Sequence, residues 1–78
     1  MVQLRLFAAA REAAGTSVCE LPGERVGDVL RAASDRFGPG FEGVLEHSRV
    51  WVNGEPVGAD HRLCATDELA VLPPVSGG

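Results

Sequence analysis

The chain has 78 residues with 7 basic and 11 acidic side chains, so its formal net charge at pH 7 is 7 − 11 = −4. A chain of this length has room for one hydrophobic core, which excludes a second domain and a deep active site enclosed by its own residues. The acidic balance argues against nucleic acid as a partner. Function is therefore expected at the surface or at the ends of one small domain.

Two cysteines, Cys19 and Cys64, are too few for the disulfide framework of a small secreted scaffold. His47 and His61 are far from each other and from both cysteines in sequence, so no metal site is predicted. There is no signal peptide and no long uncharged apolar segment, so we expect a cytoplasmic protein that binds no membrane. Reduced thiols are expected in that compartment, and a single Cys19–Cys64 disulfide is the alternative.

The N-terminal half contains two predicted strands and the main predicted helix. Polar and apolar residues alternate over 2–6 as in a half-buried strand, and a second strand is predicted over 17–21. Between them, the alanine-rich segment 8–14 predicts a short helical turn. Apolar residues at helical spacing predict the one full helix over 26–37, which ends at the Gly-Pro-Gly sequence of residues 38–40. The start of this helix lacks a favourable capping side chain.

The C-terminal half is predicted to contain three strands. An irregular stretch over 41–48 leads to a strand over 49–52, and Asn53-Gly54 predicts a tight hairpin to a strand over 55–57. The last strand is predicted over 68–72. This element order predicts an α+β fold of the ubiquitin-like β-grasp type, with one main helix packed on one face of a mixed sheet and an extended C-terminal Gly-Gly tail.

Alternation along the strands assigns their side chains to the two faces of the sheet. The face against the main helix is predicted to carry Val2, Leu4, Leu6, Val18, Val50, Val52, Leu69 and Val71. The same parity turns Phe7, Trp51 and Leu72 to the opposite face. If these three cluster, they form an apolar patch suited to anchoring another protein, and packing beneath a local loop is the alternative.

The last six residues have no pattern that would extend a sheet or form a helix. We therefore predict a β-grasp domain over 1–72 and an extended tail over 73–78. Pro73 and Pro74 stiffen the base of the tail, and Gly77-Gly78 leaves its tip without side chains. At about 3.3 Å per residue the tail reaches about 20 Å, and its tip can enter a narrow tunnel on a partner.

The only functional group at the tip of the tail is the α-carboxylate of Gly78. A carboxylate must be activated before it reacts, most plainly as an acyl adenylate made with ATP. The sequence has no Gly-x-x-x-x-Gly-Lys-Ser/Thr phosphate-binding loop, so activation is expected on a partner. The acyl adenylate can then react with an amine to give an isopeptide tag, or with a sulfur donor to give a thiocarboxylate.

All seven basic residues are arginines, which we attribute mainly to genome composition. A chain without lysine cannot be tagged on its own side chains.

Three segments of the sequence form a recognisable pattern. They are Leu6-Phe7-Ala8-x-x-Arg11-Glu12-x-x-Gly15, then Val52-Asn53 with Asp60-His61-x-Leu63, and finally Asp67-Glu68-Leu69-Ala70-x-Leu72-Pro73-Pro74-Val75-Ser76-Gly77-Gly78. Together they resemble the MoaD-type small subunit of molybdopterin synthase, within the wider family of ubiquitin-like sulfur carriers that includes the ThiS type. The resemblance covers essentially the whole chain, and its first and last segments are typical of MoaD rather than of ThiS proteins.

The resemblance implies a sulfur-transfer cycle. An E1-like adenylyltransferase activates Gly78 with ATP, and a persulfide protein converts it into a thiocarboxylate. The thiocarboxylate then enters the large, catalytic subunit, with which the chain would form a heterotetramer. There its sulfur passes to cyclic pyranopterin monophosphate, and two carriers are consumed per dithiolene. The chain is then a sulfur-donor subunit that holds no permanent cofactor, and ATP is used by the activating partner.

The resemblance also implies which residues function. Gly78 carries the reaction, with Gly77 beside it, and Phe7 and Leu72 match positions where the family meets its partners. The full set of predicted partner-binding residues is Phe7, Trp51, Leu72, Pro73, Pro74, Val75 and Ser76. Arg11, Glu12, Asp60 and His61 are predicted to be solvated or structural. A carrier for thiamine, cysteine or tRNA thiolation, or a ubiquitin-like protein modifier, is the alternative function.

Overall fold

The computed structural model describes residues 1–74, and 75–78 lie outside the described residues. Its elements are β1 (Val2–Leu6), α1 (Ala8–Ala14), β2 (Val18–Leu21), α2 (Val26–Phe37), α3 (Pro39–Glu46), β3 (Arg49–Val52), β4 (Glu55–Pro56) and β5 (Glu68–Leu72). The five strands form one sheet in the order β2-β1-β5-β3-β4. The central pair β1 and β5 is parallel, and the other neighbours are antiparallel. The predicted α+β, β-grasp fold is confirmed.

The hydrophobic core lies between the sheet and the helices. Six of the eight predicted core residues are buried, namely Val2, Leu4, Leu6, Val52, Leu69 and Val71. Val50 is half-buried and packs against this core. From α2 the core receives Val26, Val29 and Ala33, which lie three or four residues apart on one face of the helix. The face of the sheet that points away from the helices is called the outer face below.

The prediction for Val18 is wrong, because its side chain is 42% exposed. In the register of β1 and β2, Leu4 lies opposite Cys19 while Arg5 lies opposite Val18. Cys19 and the buried Leu21 therefore face the core, and Val18 faces outward. Val18 and Cys19 are adjacent apolar residues in a strand of four, so alternation alone does not decide which of them points inward.

Helix α2 has the predicted bounds, and a carboxylate partly compensates for its weak start. The residue before the helix is Arg25, whose side chain makes no capping hydrogen bond. Its backbone N–H donates to the carboxylate of Asp28 at 3.2 Å, which satisfies one donor at the helix N-terminus.

The segment predicted to be irregular over 41–48 is mostly helical, which corrects the expectation of a single full helix. Helix α3 spans Pro39–Glu46, and the proline at its first position has a backbone angle already suited to a helix. Gly38, with φ +90°, turns the chain between α2 and α3. Phe41 is fully buried, and its ring centroid lies 5.2 Å from that of Phe37. Two glycines inside α3 lower its helix propensity, so the local pattern did not predict a helix.

The hairpin after β3 forms at the predicted residues. Asn53 and Gly54 both have positive φ, at 49° and 86°, as a type I′ turn requires. Strand β4 is one residue shorter than predicted, because Val57 lies beyond its end. The N–H of Val57 still donates to the carbonyl of Val50 at 3.1 Å.

The side chains of Asn53 and Asp67 fix the point where β5 begins. The Asn53 amide donates from Nδ2 to the Asp67 carboxylate at 2.9 Å, and its Oδ1 accepts from the N–H of Glu68 at 3.0 Å. The N–H of Cys64 donates to the other Asp67 oxygen at 2.7 Å. The backbone donor of Cys64, followed by the Asn53 amide, lowers the pKa of Asp67 below its ordinary value.

Replacing Asp67 with Asn should remove part of the acid sensitivity of the fold. The pKa of Asp67 is lower in the folded than in the unfolded chain, so its ionised form stabilises the fold above the unfolded pKa. That contribution is lost as the pH falls through the folded pKa. Urea unfolding at neutral pH and at about pH 3 should therefore show a smaller loss of stability in Asp67→Asn than in the wild type. Equal losses in the two proteins would contradict this role.

Candidate functional site

A row of mainly apolar side chains crosses the outer face of the sheet. Strand register places Val18 beside Arg5, Arg5 beside Ala70, Ala70 beside Trp51, and Trp51 beside Pro56. With strands about 4.8 Å apart, the row is about 19 Å long. Four of its five positions are apolar, and only Arg5 carries a charge.

The next row along the sheet contains the other two predicted patch residues. Leu6 and Val71 are partners in the parallel pair of β1 and β5, so the residues after them, Phe7 and Leu72, lie next to each other on the outer face. Phe7 is 42% exposed and Leu72 is half-buried. Arg49 is the partner of Leu72 on β3 and is exposed. The structure therefore places Phe7 and Leu72 together, one row from Trp51.

These rows define an outer patch of six apolar residues: Phe7, Val18, Trp51, Pro56, Ala70 and Leu72. Three of the six follow the sequence prediction. Val18 was predicted to lie in the core, and Pro56 was not assigned to either face. Ala70 was not predicted either, although its alternation with the buried Leu69 and Val71 places it on the outer face. Trp51 is half-buried, and its indole Nε1 has no hydrogen-bond partner among the described residues.

The backbone after β1 holds Phe7 in its outward position. Ala8 has φ +48°, in the left-handed region that non-glycine residues adopt at a cost of order 1–3 kcal/mol. The Phe7 carbonyl accepts hydrogen bonds from the N–H of Ala10 at 3.0 Å and of Arg11 at 3.4 Å. Ala10 is fully buried against the core. The sharp turn into α1 therefore buries Ala10 and leaves the Phe7 ring on the outer face.

The tail begins at the edge of the outer patch. Strand β5 ends at Leu72, which is itself a patch residue, and is followed by the half-buried Pro73 and the exposed Pro74. The remaining predicted site residues, Val75, Ser76, Gly77 and Gly78, lie outside the described residues, so their roles stay predictions. The described chain thus brings an apolar surface and the base of the tail to the same end of the sheet.

The charged groups on the outer face are few and exposed. The Nε of Arg5 lies 2.9 Å from a carboxylate oxygen of Glu68, with both side chains about half exposed. An exposed pair of this kind contributes about 0–1 kcal/mol. Arg11, Glu12, Asp60 and His61 are all exposed on other parts of the surface. No arrangement of nucleophile and base stands out among them.

Side chains of the types that bind metal ions, namely His, Cys, Asp and Glu, do not form groups of three or more placed to hold a metal ion in the described part of the chain. Both cysteines are free, with Cys19 half-buried and Cys64 exposed. Burial raises the pKa of the Cys19 thiol, although Arg36 opposes this shift.

None of the helices over 1–74 combines the length and the apolar character that crossing a bilayer requires.

Replacing Phe7 with Ala should weaken partner binding more than folding. Phe7 is 42% exposed, so its truncation should cost less than about 1 kcal/mol of stability, whereas an aromatic anchor in an interface contributes about 2 kcal/mol or more. Affinity for an E1-like adenylyltransferase, the partner that the resemblance implies, should fall by more than tenfold when measured by calorimetry. Leu45→Ala, half-buried on α3, is the matched control and should leave affinity unchanged. Comparable losses of stability and affinity for Phe7→Ala would contradict an anchoring role.

Comparisons with known proteins agree with this architecture. The sequence model of the ThiS family matches residues 4–78. The solution structure of small archaeal modifier protein 1 from Methanosarcina acetivorans is 35% identical, with a TM-score of 0.88 over 99% of this chain and 95% of that one. A Pyrococcus furiosus protein assigned as molybdopterin converting factor subunit 1 is 31% identical, with a TM-score of 0.75 over 95% of this chain and 97% of that one.

A third solved structure contains a partner. It is the complex of subunits 1 and 2 of the molybdopterin-converting factor from Helicobacter pylori, 22% identical, with a TM-score of 0.73 over 99% of this chain and 97% of that one. At this identity the likeness shows the shared fold. No curated protein matches the chain significantly. The chain therefore belongs to the ThiS family, and within it is a ThiS/MoaD-type sulfur carrier or ubiquitin-like modifier.

Proposed function

We propose that the chain is the sulfur-carrier small subunit of molybdopterin synthase and that the carboxylate of Gly78 is its reacting group. The observation that carries this proposal is the position of the outer patch at the base of the tail. A carrier needs a docking surface and a projecting acyl group, and it needs no catalytic cluster of its own. In this proposal the outer patch is the docking surface.

The outer patch would dock the chain on each partner in turn. Its apolar centre can exclude water from an interface, and Phe7 offers the exposed aromatic ring that such interfaces use as an anchor. Leu72 belongs to both the patch and the last strand, so docking there fixes where the tail starts. From Pro73 the tail can reach about 20 Å into the partner.

Activation follows from the chemistry of a carboxylate. An oxygen of the Gly78 carboxylate attacks the α-phosphorus of ATP on the E1-like partner, and pyrophosphate leaves. The sulfur of a persulfide donor then attacks the acyl carbon, and AMP leaves with the electron pair of the C–O bond. A thiol reduces the resulting S–S bond, which leaves a thiocarboxylate on Gly78.

Sulfur transfer would take place on the large subunit of the synthase. There the thiocarboxylate would donate sulfur to cyclic pyranopterin monophosphate, with two carriers used per dithiolene and two copies of each subunit in a heterotetramer. The proposal is supported by the 31% identity to the Pyrococcus furiosus protein and by the opening and closing segments of the sequence.

Reconstitution of the synthase tests this choice of pathway. Thiocarboxylated chain, mixed with candidate large subunits and cyclic pyranopterin monophosphate, should yield molybdopterin with at least one of them. The same chain with an unmodified Gly78 carboxylate is the control and should yield none. The proposal would be contradicted if the thiocarboxylated chain yielded no molybdopterin with any candidate large subunit. It would then favour a carrier for thiamine, cysteine or tRNA thiolation.

A protein modifier is the second candidate function. It is favoured by the 35% identity to small archaeal modifier protein 1 from Methanosarcina acetivorans, which exceeds the identity to the Pyrococcus furiosus protein. In this case the acyl adenylate would react with a lysine amine of a target. Isopeptide-linked Gly78 on an acceptor protein, found by peptide mass spectrometry, would support this function, and thiocarboxylate without conjugates would exclude it.

A further inference from the structure

Every basic side chain of the 78 residues is an arginine, and every one is exposed. These residues are Arg5, Arg11, Arg25, Arg31, Arg36, Arg49 and Arg62. They lie on strands, on helices and in loops. No position on this surface carries a lysine amine.

Arginine and lysine differ in whether they can accept an acyl group. The guanidinium stays protonated near neutral pH, so it has no nucleophilic nitrogen. A lysine amine has a pKa of about 10.4 and is partly neutral, which makes it the usual acceptor of an isopeptide bond. Among the described residues, the Nε of Arg5 lies 2.9 Å from a carboxylate oxygen of Glu68, and the Arg36 guanidinium lies 5.4 Å from the centre of the Phe37 ring. The exposed cationic side chains are therefore all guanidinium groups, and none is a lysine amine, whatever the origin of this composition.

We infer that, in ATP-driven conjugation, this chain is an acyl donor whose own side chains never accept a second copy. The inference rests on the activation of Gly78 under the proposed function and concerns its use as a modifier. An acceptor amine attacks the acyl carbon of the adenylate, a C–N bond forms, AMP leaves with the electrons of the broken C–O bond, and the amine proton passes to solvent. Each target lysine then carries a single copy, and branched polymers do not form.

Other nucleophiles on the chain are distinguishable from a side-chain amine. The thiols of Cys19 and Cys64 would give thioesters, which dithiothreitol cleaves. The α-amino group of Met1 would give a linear product, which acetylation of that group prevents. Met1 precedes β1, whose first residues pair with the start of β5, so Met1 and the base of the tail lie at opposite ends of the sheet.

The test uses full-length chain with an acetylated α-amino group. It is incubated with ATP, Mg²⁺, an E1-like adenylyltransferase and an acceptor protein that has one lysine, then treated with dithiothreitol and analysed by intact mass. The wild type should place one copy on the acceptor. Arg31→Lys should produce ladders of several copies, because Arg31 is exposed on α2, away from the outer patch. Arg31→Gln changes the same position without adding an amine and should give one copy.

The outcomes separate the inference from the proposed function. Two or more amide-linked copies of the wild type on the acceptor would overturn the inference. The inference would also be overturned if Arg31→Lys placed no more than one copy on the acceptor. Pyrophosphate release accompanies activation of Gly78 in every variant. If no variant releases pyrophosphate, the proposed function is contradicted and the inference is overturned with it. Pyrophosphate release together with wild-type ladders contradicts the inference alone.

Discussion

Removal of Gly78 should abolish activation of the chain and leave its fold unchanged. The deletion moves the terminal carboxylate back by about 3.3 Å, and a misplacement of about 1 Å already costs about 100-fold in a reaction that depends on position. ATP–pyrophosphate exchange with the E1-like partner should therefore fall by more than about 100-fold. Thermal unfolding should be unaffected, because the core is built from residues between Val2 and Val71.

Ser76→Ala is the comparison for this deletion. It removes the side chain of one predicted partner-binding residue while keeping the length of the tail and its terminal glycines. Exchange with Ser76→Ala should therefore fall far less than with the deletion, by less than about tenfold. Strong activation of the chain without Gly78 would mean that the position of the terminal carboxylate does not determine the reaction.

Replacing Phe41 with Ala should cause the largest loss of stability of any single change in α3. Phe41 is fully buried and packs against the ring of Phe37 at 5.2 Å between centroids. Truncation of a buried Phe costs about 3–5 kcal/mol, a large part of the roughly 5–15 kcal/mol that stabilises an ordinary domain. Urea unfolding should show this loss.

Glu42→Ala provides the comparison for Phe41→Ala. Glu42 is the next residue on α3 and is exposed, so its truncation should change the free energy of unfolding by less than about 0.5 kcal/mol. If Phe41→Ala were as mild as Glu42→Ala, α3 would not be part of the core.

Elements with a clear period could be predicted from the sequence. Strand β5 matches its predicted bounds because its buried residues alternate with half-buried ones. Helix α2 matches because three buried residues share one face over three turns. Helix α3 could not be predicted, because its packing of Phe41 against α2 outweighs the low helix propensity of its two glycines. Tertiary contacts determine whether such short helices form.

The outer patch could be predicted only in part. The outward positions of Phe7, Trp51 and Leu72 follow from parity within each strand, but their arrangement in two rows depends on the register between strands. The position of Val18 depends on the register of β1 and β2, which no local pattern specifies. The positive φ of Ala8 could not be predicted from the sequence either, because alanine rarely adopts a positive φ and only the packing of α1 imposes it here.

The central claim is that Gly78 carries the transferred sulfur. The most direct test is the intact mass of the chain after incubation with ATP, an E1-like adenylyltransferase and a persulfide donor, with fragment ions to locate the change. We predict that one oxygen is replaced by sulfur and that the replacement lies at Gly78. An unchanged mass, or sulfur added instead to Cys19 or Cys64, would contradict the account.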